Sequence, residues 1–388
     1  MKEKIIELGM HPYADTFITK EQLHMSEPIY PLECILDKQN FMISLGVTTS
    51  PEERYNLYDY SYTSSNSLYS KNYWQSYYED ITKAKIIKSD SKILEIGSND
   101  GYLLSIFKKN GFKNVCGFDS SKKMVEVAEK NKIETIHGLF NSKNSNKTNL
   151  KYDLIIANNV FNHSNDPVDF LKGVVNVLNE EGVFVFEVPY WLNTVKDFKF
   201  DQIYHEHVSY FTVKSSEYIL KSIGLNIFKV EKTDYHGGSI RVYSSLNKRK
   251  QEDNILSFIN HEEKNGLFDI KTYYNYSNKI QEKKFKTLEK LYKLKLSKKK
   301  IVAVGAAAKG NTLLNYYGLN NDIIDYVTDN SEFKIGKFTP LSRIPILSDE
   351  EVFSKYDEVY ALILSWNISS ILKKKLSKIN SKIKFINL

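Results

Sequence analysis

The sequence predicts an α/β protein built around a doubly wound parallel sheet, because apolar strands alternate with helical stretches over residues 86–247. "KILEIGSND" (92–100) is a β-branched run that ends in glycine and polar turn residues, and "GYLLSIFKKNG" (101–111) has the apolar spacing of a helix. "NVCGFDSS" (114–121) is a second short strand that ends at Asp119. Ligands of such sheets bind at the carboxyl ends of the strands.

The same alternation continues toward residue 247. We expect strands at "YDLIIANNVFNH" (152–163) and "GVFVFEVPY" (182–190), with the helix "DFLKGVVNVLNEEG" (169–182) between them. A helix and a strand follow in 213–233, and "GGSIRVYSS" (237–245) is the last strand. We therefore divide the chain into four segments: an aromatic-rich, irregular N-terminal domain at 1–85, the main α/β domain at 86–247, a charged helical connector at 248–298 and a second α/β unit at 299–388.

Composition and charge narrow the classes of function. A 388-residue chain with 41% hydrophobic residues is long enough for two or three domains with buried cores. The net charge of +7 comes mostly from lysine-rich stretches such as "LYKLKLSKKK" (291–300), which are typical of a solvated helix end rather than of a nucleic-acid-binding surface. No run approaches the ~20 apolar residues that span a bilayer, and no secretory signal is seen. We expect a cytoplasmic monomer or homodimer that binds anionic small molecules such as nucleotides, and neither nucleic acid nor membrane.

A glycine-containing turn between the first strand and its helix predicts a cofactor site. The pattern runs Glu95-x-Gly97-x-Asn99-Asp100-Gly101, where glycines allow close approach to the backbone and the helix start offers free N–H donors. It departs from G-x-G-x-x-G, and its acid would repel a pyrophosphate while suiting a cationic amino group. Asp119, at the end of the next strand, can accept hydrogen bonds from ribose hydroxyls. Together these features resemble the class I S-adenosylmethionine-dependent methyltransferases, although an NAD-type turn or a merely tight turn would also carry glycines.

Four polar stretches follow this turn and supply candidates for chemistry. They are "NNVFNH", "EVPY", "YHEH" and "YHGGSIR", and the first two lie at strand ends that face the same crevice as the cofactor. On its own, His163 would be an ordinary surface or core histidine. The densest stretch is Tyr204-His205-Glu206-His207, which is open to three interpretations: a metal site, a general base with its partners, or a polar loop.

The metal interpretation of this stretch is the weaker of the first two. On a strand His205 and His207 would share one face, and His163 or His236 would have to supply a third ligand, but the H-E-x-x-H spacing is absent and no cysteine lies near. In the general-base interpretation, an imidazole removes a proton at neutral pH, and a carboxylate orients it. Tyrosine and histidine donors then stabilise negative charge on a substrate oxygen. This arrangement suits proton abstraction next to a carbonyl, after which the enolate carbon can accept a methyl group.

The order of several motifs resembles one family along nearly the whole chain. "KILEIGSNDGYLL", "ANNVFNH", "FEVPY", "FDQIYHEHVSYFT", "HGGSIRVY" and "IVAVGAAAKGNTLLNYYG" are similar to the sugar C-methyltransferases that act on nucleotide-linked deoxysugars, such as those of the tylosin and tetronitrose pathways. The resemblance implies a class I methyltransferase domain and a C-terminal Rossmann-like domain. It also implies S-adenosylmethionine as the cofactor and a dTDP-linked keto sugar that is methylated at C3, next to a C4 ketone.

The resemblance also implies roles for individual residues. His207 would remove the C3 proton, Tyr204 and Glu206 would position the sugar and the base, and His163 would lie beside the keto oxygen. The cofactor would contact Glu95, Gly97, Asn99, Asp100, Gly101, Asp119 and Asn158. The sugar nucleotide would contact Tyr60, Tyr62, Asn159, Tyr190, His236, Ser239, Arg241, Lys309, Gly310 and Asn311.

One departure from the family concerns zinc. Relatives begin with a small zinc domain that carries two pairs of cysteines, whereas this chain starts after the place of the first pair. Asp37 and Asn40 stand where the second pair would be, and Cys34 alone cannot hold zinc. We therefore predict no structural zinc and an N-terminal domain held by apolar packing.

Three other functions compete with C-methylation. Sugar O-methylation would use the same histidine beside a hydroxyl. A protein that binds a nucleotide-sugar or S-adenosylmethionine without turnover would not need His207 and Glu206 together. A metal-dependent hydrolase or isomerase would need bound metal at the His-Glu-His cluster.

Overall fold

The computed structural model describes residues 1–56, 65 and 67–386, without the side chains of residues 55 and 56. The strands in chain order are β1 (Lys2–His11), β2 (Tyr30–Asp37), β3 (Met42–Leu45), β4 (Ile93–Ile96), β5 (Val115–Asp119), β6 (Thr135–His137), β7 (Tyr152–Asn158), β8 (Leu178–Pro189), β9 (Ser209–Tyr210), β10 (Asn226–Thr233), β11 (Ser239–Ser245), β12 (Ile301–Val304), β13 (Tyr326–Thr328), β14 (Ile346–Leu347), β15 (Val359–Ile363) and β16 (Ile383–Ile386).

The helices connect these strands. They are α1 (Pro51–Asn56), α2 (Leu68–Lys83), α3 (Tyr102–Lys109), α4 (Lys122–Lys130), α5 (Pro167–Val177), α6 (Trp191–Lys196), α7 (Val213–Ser222), α8 (Asn254–Lys264), α9 (Ile270–Leu296), α10 (Ala308–Tyr317), α11 (Asp349–Phe353) and α12 (Ser369–Ile379). Across the described ranges, no helix is long and apolar enough to cross a membrane.

The central sheet has the order β10-β11-β8-β7-β4-β5-β6. β4 to β8 run parallel, and β11 is inserted antiparallel between β8 and β10. The chain leaves β4 toward β5 and later returns to β7 on the other side of β4, which creates the crevice where such sheets bind ligands. This order is that of the class I methyltransferase fold, so the fold class predicted from the sequence is confirmed.

A second parallel sheet, with the order β14-β13-β12-β15-β16, follows the long helix α9. Its strands are short and almost entirely buried, as in sheets that are covered by helices on both faces. It is the C-terminal Rossmann-like unit. α10 leaves β12 and places its first turn against the central domain, where the Lys309 ammonium lies 3.2 Å from the His236 carbonyl oxygen.

The N-terminal segment is more regular than the sequence suggests. β1, β2, β3 and β9 form an antiparallel sheet in which Cys34 is fully buried among apolar side chains. Two shifts in the β1–β2 register add residues in β1 and break its alternation of buried and exposed residues. Asp37 is the last residue of β2 and Asn40 lies in the turn before β3, and each accepts a backbone N–H.

One predicted helix is shorter than expected. The stretch 169–182 was expected to be helical throughout, but α5 ends at Val177, and Leu178 already pairs with Tyr152 as the start of β8. The register then jumps to Leu154 opposite Val183, so residues 179–182 form a bulge in the strand.

Candidate active site

A cavity of about 430 Å³ lies at the carboxyl ends of the central strands. Strand-end loops form most of its wall, and α2 contributes Trp74. The predicted site residues that line it are Glu95, Gly97, Asn99, Asp119, Asn158, Asn159, His163, Tyr204, His207, His236 and Lys309. The structure thus brings together, in one space, residues that are more than 200 positions apart in the chain.

The turn after β4 holds its shape through positive φ angles. Gly97 has φ 72°, and a Cβ there would lie 2.8 Å from the Cβ of Val160, so this position requires glycine. Asp119 fixes the turn by accepting the Asn99 N–H at 2.8 Å and the Ser121 N–H at 2.8 Å. Burial raises the pKa of Asp119.

Glu95 is the chemically distinctive group at this end of the cavity. It is 5% exposed, and within the described residues its Oε2 has no hydrogen-bond partner. Burial, together with Asp100 and Asp119, raises the pKa of Glu95 well above its usual value. A buried carboxyl group with such an oxygen fits a ligand with an amino group.

Two residues predicted to bind the cofactor have other contacts. The Asp100 carboxylate accepts the backbone N–H of Ser65 at 3.1 Å and the Ser65 hydroxyl, and it also accepts the Tyr102 N–H. Gly101 precedes α3 with φ 73°, and a Cβ there would lie 3.1 Å from Ile133. Neither residue is among those that line the cavity, so the structure favours a role in shaping the turn and the start of α3.

Residues 204–207 form a turn, so the condition under which His205 and His207 would share one face, a strand, is not met. The His207 N–H donates to the Tyr204 carbonyl at 2.9 Å, which brings the first and last side chains of the turn together. Their rings lie 3.9 Å apart between centroids, and the Tyr204 hydroxyl lies 2.6 Å from His207 Nε2.

The hydrogen bonds of His207 define its tautomer. Nδ1 lies 2.8 Å from the Gln202 carbonyl oxygen, which only accepts, so Nδ1 carries the proton. Nε2 therefore has the lone pair and accepts from Tyr204. Burial, with the neighbouring His163, lowers the pKa of His207 well below its ordinary value, and the ring is neutral at pH 7.

The two middle residues of the turn point away from this site. His205 packs against Tyr13 and Tyr30 at 5.8 and 5.9 Å between ring centroids, so it does not share a face with His207. Burial and the nearby Asp15 raise the pKa of Glu206 to about 7. The orienting partner predicted for His207 was Glu206, but the Gln202 carbonyl oxygen occupies that place. His205 and Glu206 are the two central residues of the turn, so neither side chain points toward His207.

His163 lies beside His207, with 5.3 Å between ring centroids. Burial lowers the pKa of His163 to about 3, so it is neutral too. The Arg54 guanidinium donates to the His163 carbonyl at 3.2 Å and to Asn165 Oδ1 at 2.8 Å. Sequence analysis missed Arg54 because no local motif marks a contact that spans more than 100 residues.

Four residues predicted to contact the substrate are used elsewhere. Arg241 is 1% exposed, and its Nε lies 2.9 Å from Glu187 Oε2 in a buried ion pair. Tyr190 donates to Glu262 at 2.8 Å and does not line the cavity, although its neighbour Pro189 does. The other two form backbone contacts: Ser239 donates to the Tyr235 carbonyl and Asn311 to the Ala14 carbonyl.

The remaining predicted residues are Tyr60, Tyr62 and Gly310. Tyr60 and Tyr62 lie outside the described residues. Gly310 is buried in α10, where a Cβ would lie 2.8 Å from the Leu364 Cβ, so it serves close packing. As for metal, the described part of the chain contains no group of three or more His, Cys, Asp or Glu residues that could hold an ion.

Comparison with known proteins identifies the class. A family model described as a methyltransferase domain matches residues 70–230, and one described as the C-terminal domain of C-methyltransferases matches residues 234–387. The chain is an S-adenosylmethionine-dependent methyltransferase. More particularly, it is a homologue of the C-methyltransferase NovU of Streptomyces niveus, with 27% identity over 369 residues that cover 94% of this chain and 87% of NovU.

Solved methyltransferase structures overlap with part of the chain. One from Clostridium acetobutylicum is 19% identical, with a TM-score of 0.38, and covers 47% of this chain and 94% of its own. The magnesium protoporphyrin IX methyltransferase of Synechocystis is 14% identical, with a TM-score of 0.37, and the overlap covers 45% of this chain and 82% of that protein. The strand order of the central sheet, rather than these overlaps, establishes the fold.

Proposed function

We propose that the chain transfers a methyl group from S-adenosylmethionine to C3 of a nucleotide-linked 4-keto deoxysugar. The observation that carries this proposal is the neutral His207, whose Nε2 lone pair lies in the same cavity as the acidic turn of β4 and β5. The similarity to a C-methyltransferase supports carbon as the acceptor.

The acidic end would hold the cofactor. Glu95 would face the amino group, and Asp119, held by two backbone N–H groups, would accept hydrogen bonds from the ribose hydroxyls. Gly97 packs closely against Val160, which lines the cavity with it, and Asn158 offers an amide from the end of β7. S-Adenosylmethionine supplies an electrophilic methyl group, whose carbon–sulfur bond breaks as the sulfur becomes a neutral thioether.

The histidine end would generate the carbon nucleophile. The C3–H bond breaks as its proton moves to His207 Nε2, and the electron pair spreads onto the C4 oxygen. Tyr204 would have to shift its hydrogen bond from Nε2 toward the sugar for the proton to arrive. The enolate carbon then takes the methyl group, the C4 ketone re-forms, and the imidazolium returns its proton to solvent.

The rest of the substrate would extend toward the C-terminal unit, since His236 and Lys309 complete the cavity on that side. We place the reaction in the cytoplasm, in deoxysugar biosynthesis that supplies a polysaccharide or a glycosylated metabolite.

The test is incubation with S-adenosylmethionine and a panel of dTDP-, UDP-, GDP- and CDP-linked 4-keto-6-deoxysugars. Mass spectrometry should show one added methylene, and the C3 position should take up deuterium from solvent when S-adenosylhomocysteine replaces the methyl donor. Matched sugars that are reduced at C4 are the control. Methylation of those reduced sugars at a hydroxyl would contradict the proposal and assign an O-methyltransferase.

A further inference from the structure

Lys309 lines the same cavity as Glu95 and His207. It belongs to the first turn of α10 and is 9% exposed. Among the described residues that line the cavity, it is the only lysine or arginine. A buried ammonium in a reaction cavity calls for a chemical explanation, because burying a charge without a function is costly.

The surroundings of Lys309 keep the ammonium in place. Its Nζ donates to the His236 carbonyl at 3.2 Å and lies 5.0 Å from the centroid of the Trp366 ring. Burial lowers the pKa of Lys309 to about 8, against the opposing effect of Asp201, so the group remains charged at pH 7. Since an ammonium has three N–H donors, one bond to His236 leaves others for a ligand.

Lys309 is also close enough to influence the imidazoles. Its charge contributes to the lowered pKa of both His207 and His236. Among the described residues that line the cavity, the rings near His207 are neutral and Lys309 is the positive charge, with Asp201 close to Lys309 but outside the lining, whereas Glu95 and Asp119 are carboxyl groups that line the cavity themselves. This distribution suits a ligand that is cationic at one end and becomes anionic at the other.

Proton removal by His207 requires a group that stabilises negative charge on the substrate. A histidine whose pKa is held low is a weak base, so it can remove a carbon-bound proton only if the new negative charge is stabilised as it forms. Tyr204 supplies a neutral donor, and Lys309 supplies the formal charge.

We infer that Lys309 donates a hydrogen bond to the C4 oxygen of the sugar and stabilises it as the enolate forms. This inference rests on the proposed function. It differs from the sequence-based expectation that Lys309 holds the nucleotide, because a residue that only binds diphosphate would act on affinity and not on proton removal.

The test measures deuterium uptake at C3 in the intact protein, with S-adenosylhomocysteine bound and with whichever 4-keto sugar of the panel exchanges fastest. Lys309→Met should lower the exchange rate at saturating sugar by about 10²–10³-fold, as loss of an oxyanion donor does elsewhere, with little change in KM. Lys309→Arg should recover part of the rate, because it restores the charge with a different shape.

Lys199 provides the matched control. Its ammonium lies 5.1 Å from the same Trp366 ring and donates to the Gly237 carbonyl at 2.7 Å, yet Lys199 is not among the residues that line the cavity. Lys199→Met should therefore exchange at the wild-type rate. An equal loss in the two Met variants would show a structural effect and overturn the inference.

The other outcomes are also decisive. A wild-type exchange rate in Lys309→Met at saturating sugar overturns the inference, and a raised KM in that variant would assign Lys309 to the diphosphate. If Lys309→Met does not bind S-adenosylhomocysteine or fold, Lys309→Gln, which keeps a neutral donor, decides by the same exchange assay. No exchange with any sugar in the wild type would refute the proposed function itself, whereas exchange by wild type and variant alike refutes only the role of Lys309.

Discussion

The Glu95 end and the His207 end of the cavity are both buried, but burial acts on opposite kinds of groups. At the Glu95 end, burial raises the pKa of Glu95 and Asp119, and a bound cation would stabilise their charged forms. At the His207 end, it lowers the pKa of His163 and His207, so the imidazoles stay neutral beside Lys309. Burial thus favours the binding of a cation beside the carboxyl groups and of a developing anion beside the neutral imidazoles and Lys309.

The largest effect should come from removing the proposed base. His207→Ala deletes the lone pair that receives the C3 proton, so deuterium uptake and methyl transfer should both fall by about 10²–10⁴-fold. Binding of S-adenosylhomocysteine, measured by calorimetry, should be unchanged because Glu95 and Asp119 are intact. Near-normal turnover in this variant would show that His207 is not the base.

The division between the two ends was only partly visible in the sequence. Glu95, Asp119 and Asn158, which were predicted to bind the cofactor, line the cavity, and a strand followed by a polar turn is a local signal for such positions. The direction of the Glu206 side chain, which was predicted to orient His207, depends on a backbone turn that alternating patterns do not reveal. The positions of Arg54 and Lys309 depend on long-range packing between segments.

Arg241 shows the same limit in another way. A charged residue near a strand end suggests a contact with a ligand. In the structure, however, Arg241 pairs with Glu187 on the neighbouring strand and with Asp80 on α2. The pairing of β8 with β11 sets Arg241 directly opposite Glu187. Such a register is fixed by the whole sheet, so the sequence motif alone could not separate an internal ion pair from a binding residue.

A smaller effect, confined to the acidic end, should follow from Asp119→Ala. Loss of a charged hydrogen-bonding group should weaken S-adenosylhomocysteine binding by about 1–3 kcal/mol. Deuterium uptake at C3 should persist once the cofactor site is saturated, because the histidine end is unchanged.

The control for this variant is Asp153→Ala. Asp153 also accepts a backbone N–H, that of Lys92 at 2.8 Å, but it is not among the residues that line the cavity. Its loss should leave the binding constant unchanged. Equal weakening in both variants would mean that Asp119 acts through the stability of the sheet rather than through the cofactor.

The dependence of kcat/KM on pH should show a smaller effect, which reports on Lys309. Lys309 acts in its protonated form and has a pKa lowered to about 8, so kcat/KM should fall as pH rises through about 8. The groups that face it are Asp201, which raises its pKa, Lys199, which lowers it, and the neutral His207 and His236. Lys309→Arg should shift the fall to higher pH, because a guanidinium stays charged.

The acid side of the same profile tests His207. A ring whose pKa is held well below 6.5 is already neutral there, so kcat/KM should show no step near pH 6.5. A clear loss of activity on acidification through that pH would contradict the proposed environment of the base.

The smallest effect is expected at His205, two residues before the proposed base. Its ring is 1% exposed and packs between Tyr13 and Tyr30, where an aromatic side chain of similar size can replace it. His205→Phe should therefore leave C3 exchange, methyl transfer and S-adenosylhomocysteine binding near wild type, in contrast to His207→Ala. A large loss of exchange in a folded His205→Phe protein would mean that the turn orients His207 through its outer face, and the separation between a catalytic and a packing histidine would fail.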